Sequence, residues 1–301
     1  MDNICGKRIA AGISDMIDVL KKHGEINFND EICNQLKTMS SATIDRLLVS
    51  ERKKFVIKGK STTKPGTLLK KDIALKTASD WDDTKPGFVE IDLVAHCGDT
   101  TVGEYVNTLT TTDVSTGWTV TKAVLNKAQT HVFNALKEIR KRLPFDLKGI
   151  DSDNGSEFIN HQLYRYCKQE SITFTRSRPY KKNDSCYVEQ KNWSIVRRQL
   201  GYARYEGQES VGLMNKIHRC YNNFSNHFLP SIKLLSKERI GGKIKKKYEK
   251  PLTPYQRILN SPEISEQRKQ DLMSLHSSLN PVELKKLLNY YTQKIINFSK
   301  R

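Results

Sequence analysis

The sequence predicts an α/β (α+β) chain: a mixed five-stranded sheet flanked by helices, with a helical unit before it and a helical, basic region after it. Three observations lead there. Helical periodicity fills residues 12 to 50, strand-like alternation begins at residue 86, and strands and helices then take turns up to about residue 205. A hydrophobic content of 37% in 301 residues supports one sizeable core with smaller units attached. The boundaries expected are a helical unit over 1–58, a basic linker over 59–85, the sheet domain over 86–228, and a basic segment with a helical C-terminal region over 229–301.

In the first unit, Ile13, Met16, Ile17 and Leu20 share one helical face, and Gly24 suits the C-terminal end of that helix. A short helix, "DEICNQLKTM", follows, and Ser40 or Ser41 can cap a third that carries Ile44, Leu47 and Leu48 inward. Two short helices about a tight Met39-Ser40 turn resemble a helix-turn-helix DNA-binding unit. "KGKSTTKPGTLLKKD" has the composition of a linker.

The central domain opens on three strands, "GFVEIDLVAH", "TVGEYVNTLTTTD" and "GWTVTKAVL". Its first helix carries Val132, Leu136, Ile139 and Leu143 at helical spacing. "LKGIDSD" returns to strand, "SEFINHQLYRYCKQE" to helix, "SITFTRS" to strand and "YVEQKNWSIVRRQLG" to helix. In that last helix Trp193, Val196 and Leu200 fall on one side and are expected to be core. Beyond it, "SVGLMNKIHRCYNNFSNHF" reads as a helix that closes the domain. "SEQRKQDLMSLHSSL" and "PVELKKLLNYYTQKIINF" read as helices of the tail, the last with a stripe of Leu284, Leu287, Leu288, Tyr291 and Ile295 suited to a second protomer.

Charge narrows the partner. Lys and Arg number 51 against 33 Asp and Glu, a net charge of +18 spread along the chain, which favours a polyanion, nucleic acid above all. No stretch approaches the ~18 to 20 apolar residues that cross a bilayer, and the N-terminus lacks the apolar core of a signal peptide, so no membrane partner and a cytoplasmic location are expected. Cys5, Cys33, Cys97, Cys167, Cys186 and Cys220 form no C-x-x-C pair and read as reduced thiols. "GGKIKKK" lacks the spacing of a phosphate-binding P-loop.

Against that excess, the carboxylates are informative. Asp92 sits in the middle of an apolar strand, a costly place for an uncompensated charge. Asp153 ends the fourth strand and Glu189 opens the following helix. Sixty residues separate the first pair and 35 (154 to 188) the second. This arrangement, with "DNGSEF" after the second acid, resembles the D, D-x35-E signature and Asp-Asn-Gly-x-x-Phe pattern of transposases with a retroviral-integrase-type, RNase H-like catalytic core. The resemblance is strong over residues 86 to about 205. "KKNDSCYVEQKNWSIVRRQLGYARYEG" and "KKKYEKPLTPYQRIL" look like one subgroup of prokaryotic insertion-sequence transposases. The His2Cys2 zinc module of retroviral integrases has no counterpart in the spacing of His23 or Cys33.

The resemblance implies DNA cleavage and strand transfer by Asp92, Asp153 and Glu189, holding two Mg2+ ions (Mn2+ as substitute), with Asp92 bridging both, Asp153 on one and Glu189 on the other. Hard oxygen donors suit such ions, and a metal pair stabilises attacking and leaving oxygens together. Asp151 is an alternate ligand by strand period. Glu90 reads as a group behind the ligands, and Glu157 as a dipole-compensating residue in a helix's first turn. His96, Arg176, Arg178, Lys181, Lys182, Lys191, Arg197 and Arg198 around the acids, and Lys243, Lys245, Lys246 and Lys247 in the tail, are expected to meet DNA phosphates. The partners implied are double-stranded DNA, as element ends and target, and further copies of the chain in a dimer or higher homo-oligomer, nucleoid-associated when bound. A catalytically silent helix-turn-helix regulator and an RNase H-type nuclease without strand transfer are the alternatives.

Overall fold

The computed structural model describes residues 4–53, 74–75, 84–153, 155, 157–177 and 186–299. The chain begins with four helices, α1 (Gly6–Lys22), α2 (Asp30–Thr38), α3 (Ser41–Leu47) and α4 (Val49–Lys53). Gly24, at φ 69°, ends the first, its N–H donating to Lys21 O at 3.0 Å. Ser40 caps α3 by accepting from Thr43 N at 3.2 Å. Most of the expected linker lies outside the described residues.

The sheet contains β1 (Ala74–Leu75), β2 (Phe88–Ala95), β3 (Asn107–Asp113), β4 (Thr119–Val124), β5 (Gly149–Ser152) and β6 (Thr173–Arg176), in the order β1-β6-β5-β2-β3-β4. The five strands expected are all present, and two-residue β1 adds an edge beside β6. β2 is central, antiparallel to β3 and parallel to β5; β3 pairs antiparallel with β4 and β5 parallel with β6. The connecting helices are α5 (Gln129–Arg140) and α6 (His161–Gln169). With β2, β3 and β4 a meander and β5 and β6 added in parallel on the other side of β2, this is the RNase H-like fold.

Helix α7 (Cys186–Lys191) continues through a π-helical segment, Asn192–Arg197, into α8 (Arg198–Leu200), and α9 (Gly207–Phe228) follows. The wider π turn changes which residues share a face. Val196 and Leu200 are buried as expected, but Trp193 is 55% exposed, with the Arg198 guanidinium over its ring at 5.7 Å.

Helix α9 closes the sheet in a way its apolar stripe does not reveal. Asn226 accepts from Thr119 N at 3.0 Å and donates to Thr119 O at 2.8 Å, Asn222 donates to Thr121 O at 3.3 Å, and Asn215 accepts from Ala123 N at 2.9 Å. These three side chains lie along one helix face and satisfy backbone groups of the edge strand β4 that would otherwise be buried without partners.

The C-terminal region holds a two-stranded ribbon, β7 (Leu234–Ile240) and β8 (Lys243–Tyr248), before α10 (Pro254–Asn260), α11 (Glu266–Ser278) and α12 (Pro281–Ser299). The ribbon forms from the basic segment expected there, to which the sequence reading assigned no strands. Its signal, two alternating runs about Gly241-Gly242, is that of a hairpin. Helix α12 turns Leu288 and Ile295, 1% and 0% exposed, into the same chain's core against α9 rather than toward a second protomer. That core also takes in Ile4, Ile9 and Ile44, so it runs across the boundaries expected at 58 and 228.

Candidate active site

Strand register brings the acids together. Along the parallel β2–β5 pair Glu90 lies opposite Asp151 and Ile91 opposite Ser152, so the next residue on each strand is Asp92 and Asp153. Both are half-buried. Asp92 accepts from its neighbour Leu93 N at 2.8 Å, and Asp153 from Gly155 N at 2.9 Å. An aspartate carboxylate that accepts from the N–H two residues on is the local chemistry of an Asx turn.

Glu189 comes from α7, and the helix is tied to β2 at two points. Glu90, 1% exposed, accepts from both Tyr187 N at 3.0 Å and Val188 N at 3.1 Å, caps the first turn of α7, and so fixes the residue that follows. Asn192 Nδ2 donates to Asp92 Oδ2 at 2.6 Å from the start of the π segment. Neither link was legible in the sequence beyond the fact that residues 90 and 92 share a strand face. Glu189 itself is exposed.

The electrostatics show one cluster. Burial pushes the Asp92 carboxyl up to about 8, helped by the charges of Asp153, Glu189 and Glu157 and opposed by the Leu93 N–H. Burial likewise raises Asp153 to about 6; the Gly155 N–H opposes this, while Glu157, Asp151 and Glu189 add to it. Glu157 therefore belongs to the acid group. It is not in the first turn of a helix, because Asn160 caps α6 only at Leu163 N, 2.9 Å away. Asp151 has other work: it is 1% exposed and accepts from Thr175 Oγ1 at 2.7 Å and Ser177 Oγ at 3.0 Å, joining β5 to β6.

Neighbouring carboxylates raised by burial, as Asp92 and Asp153 are, make a donor set for a hard cation, which would replace the proton as the neutralising charge. Among the described residues no three such side chains stand close enough to hold one ion as they are placed. The donor chemistry, hard carboxylate oxygens, fits a divalent metal.

The basic residues divide. His96 is 0% exposed, its Nε2 2.9 Å from Thr108 Oγ1, which is 3.0 Å from His218 Nε2; sealed beneath the strand, it offers no surface to a phosphate. Arg197 is held by Ala95 O at 2.8 Å and Gly201 O at 3.3 Å and lies over the Tyr202 ring, so its guanidinium fastens the helix end to β2. Lys191 is half-buried, its ammonium lowered to about 8 by burial. Arg176 and Arg198 are half-buried, and Lys245, Lys246 and Lys247 are exposed on β8. Lys243 is in the same strand; Arg178, Lys181 and Lys182 lie outside the described residues.

Comparison with known proteins follows the same lines. Residues 83–182 match the Integrase core domain. The uncharacterized protein y4rM of Sinorhizobium fredii (strain NBRC 101917 / NGR234) is 38% identical over 258 residues, 85% of this chain and 73% of that one. Among solved structures, the dimeric HTLV-2 integrase catalytic core domain in complex with magnesium aligns at 13% identity over 50% of this chain and 93% of that one, TM-score 0.38. The catalytic core domain of BIV integrase aligns at 18% identity over 38% and 70%, TM-score 0.32. No described helix is long and apolar enough to cross a membrane. The chain belongs to the same family as y4rM and carries an integrase core domain of RNase H-like fold, the domain of polynucleotidyl transferases.

Proposed function

We propose that this protein is an insertion-sequence transposase that cleaves DNA at the ends of its element and joins them to a target, with Asp92, Asp153 and Glu189 as its catalytic acids. The observation that carries the reading is the β2–β5 register, which sets Asp92 and Asp153 side by side while Glu90 and Asn192 tether the helix of Glu189 to the same strand. Asp92, Asp153 and Glu189 would hold divalent metal, Mg2+ or Mn2+. When bound, the metal supplies charge neutralisation at the scissile phosphate and activates water or a 3'-hydroxyl as nucleophile. The chain's own part is to position. Glu90 holds the helix start, and Asn192 steadies Asp92. Arg176, Lys191, Arg198 and the lysines of β8 meet the phosphate backbone without reading bases, as would Arg178, Lys181 and Lys182. The α2–α3 turn unit supplies a further DNA contact, and two or more copies assemble on paired ends in the cytoplasm.

The test is a strand-cleavage and strand-joining assay on duplexes carrying the element's own ends. Asp92→Asn, Asp153→Asn and Glu189→Gln should each lower both reactions at least about 1,000-fold, a loss of some 4 kcal/mol of transition-state stabilisation, while DNA affinity stays within a few fold. Chelation should silence the parent chain and Mg2+ or Mn2+ restore it. Joining that survives any one of the three substitutions removes that residue from the catalytic set. Cleavage without joining would identify a nuclease, and binding with neither reaction a regulator.

A further inference from the structure

The ribbon β7–β8 is an arm. Its strands pair with each other and, among the described residues, with no other strand; they are seven and six residues long, a reach of roughly 20 Å at ~3.4 Å per residue. Its root is fixed. Ser231 and Leu252 exchange backbone bonds at 2.8 and 3.1 Å, the buried Arg257 guanidinium donates to Ser231 O at 2.7 Å and pairs with Glu249, and Lys233 Nζ donates to Ser115 O at 2.6 Å. Beyond that root the described side chains are mostly exposed.

What the arm exposes is specific. Arg239, Lys245, Lys246 and Lys247 are exposed against a single acid, Glu238, and Lys237 and Lys243 stand in the same ladder. The far end is apolar. Ile240 and Ile244, 62% and 54% exposed, flank the Gly241-Gly242 turn, where Gly241 takes φ 59°. Cross-strand partners share a face and successive residues alternate, so Ile240 points to one side and Ile244, with its partner Arg239, to the other. A lysine-rich stem is ordinary for a protein with net charge +18; a branched aliphatic on each face at the point farthest from the core is not. Basic stems that grip phosphates and an aliphatic wedge that separates base steps are the two parts of a protein that kinks duplex DNA from the minor groove. A second copy of the chain would be a poor occupant, since two such arms repel.

We propose that the β7–β8 arm bends duplex DNA: its lysines and Arg239 lie along the phosphates, and Ile240, with Ile244 behind it, wedges between neighbouring base pairs. The inference rests on duplex DNA being the chain's substrate but not on the acids acting in catalysis.

The experiment uses the full chain without divalent cations, and a duplex of about 40 base pairs bearing the element's end, with a fluorophore at each terminus. Affinity is read by anisotropy and the bend by energy transfer. The parent chain should raise energy transfer on binding. Ile240→Ser with Ile244→Ser should abolish that rise while the slope of log K against log[salt] is kept. Lys245→Ala, Lys246→Ala and Lys247→Ala together should flatten the slope by about two to three, near 0.9 for each phosphate no longer neutralised. Unchanged melting temperatures of both variants would show that the fold is intact, as expected for exposed sites. A parent complex with no change in energy transfer, or an isoleucine variant that bends DNA as the parent does, overturns the proposal. So does an isoleucine variant that alters only sedimentation, which would make the tip a contact between copies. Bending retained in a chain that never joins strands would leave this inference standing and remove the transposase reading; absence of any DNA binding would remove both.

Discussion

At the scale of single residues, burial decides what a titratable side chain can do. His96 and His218 share Thr108 in the core, and burial pushes His218 down to about 3. The unfolded chain takes up a proton at such a histidine near pH 6.5, while the folded chain refuses it until about 3. The stabilising contribution is therefore complete above pH 6.5 and is lost as pH falls through the window down to 3, at about 1.4 kcal/mol per pH unit. Asp92 and Asp153, raised by burial, act in the opposite sense over part of this range, so the clean measurement is a difference. Stability of the parent and of His218→Gln, followed from pH 7 to pH 4.5, should diverge by that slope; parallel curves would mean His218 is charged in the fold. Residue-level legibility followed the same rule. Asp92 stood out because a carboxylate in an apolar strand needs an explanation. His96 did not declare its burial, because the two-residue period fixes a face and says nothing of how deep that face lies.

At the scale of elements, caps and edges carry the specificity. The Glu90 carboxylate is the N-terminal anchor of α7, and Glu90→Ala would leave the N–H groups of Tyr187 and Val188 without it. Amide exchange at residues 187 to 189 should accelerate, and strand joining should fall roughly 10- to 100-fold as Glu189 loses its position, with DNA affinity unaltered; protection equal to the parent's would assign the anchoring elsewhere. Asn226→Ala would strand the N–H and C=O of Thr119 and should cost about 1–3 kcal/mol, read by chemical denaturation. Exposed Asn289→Ala serves as the comparison and should stay within ~0.5 kcal/mol. The strand and helix order of the sheet domain was readable because periodicity switches cleanly there. The π segment was not, since an i→i+5 turn leaves no mark in the hydrophobic pattern, and Trp193 was assigned to the wrong face for that reason. The ribbon was readable from Ile240-Gly241-Gly242-Lys243, but its lysine content drew attention to charge rather than to alternation.

At the scale of the molecule, one core joins what the sequence divides. Ile4, Ile9 and Ile44 are 5%, 8% and 4% exposed and pack in the same cluster as Phe224, Leu288 and Ile295 of α9 and α12. Further bonds cross the same junction: Gln256 Nε2 to Asp15 at 2.8 Å, Asn280 Nδ2 to Glu25 at 2.7 Å and Lys22 Nζ to Ser277 Oγ at 2.7 Å. Linker composition marked a boundary, but composition cannot report which helices return to cover one another across 250 residues. Removing residues 1 to 53 should therefore weaken the remainder rather than release an independent domain. Three buried isoleucines at ~1.5–3 kcal/mol each correspond to a melting temperature lower by roughly 10 °C or more. A shortened chain that melts where the parent does would show that the two parts are separable.

The asparagines of α9 bear on how copies of the chain can meet. Along the outer border of β4, the carbonyls of Thr119, Thr121 and Ala123 and the amides of Thr119 and Ala123 already have partners. A foreign strand laid against that border would find those positions taken, so neither pairwise sheet continuation nor fibrillar stacking can start there, and copies of this protein that meet must do so by some other surface.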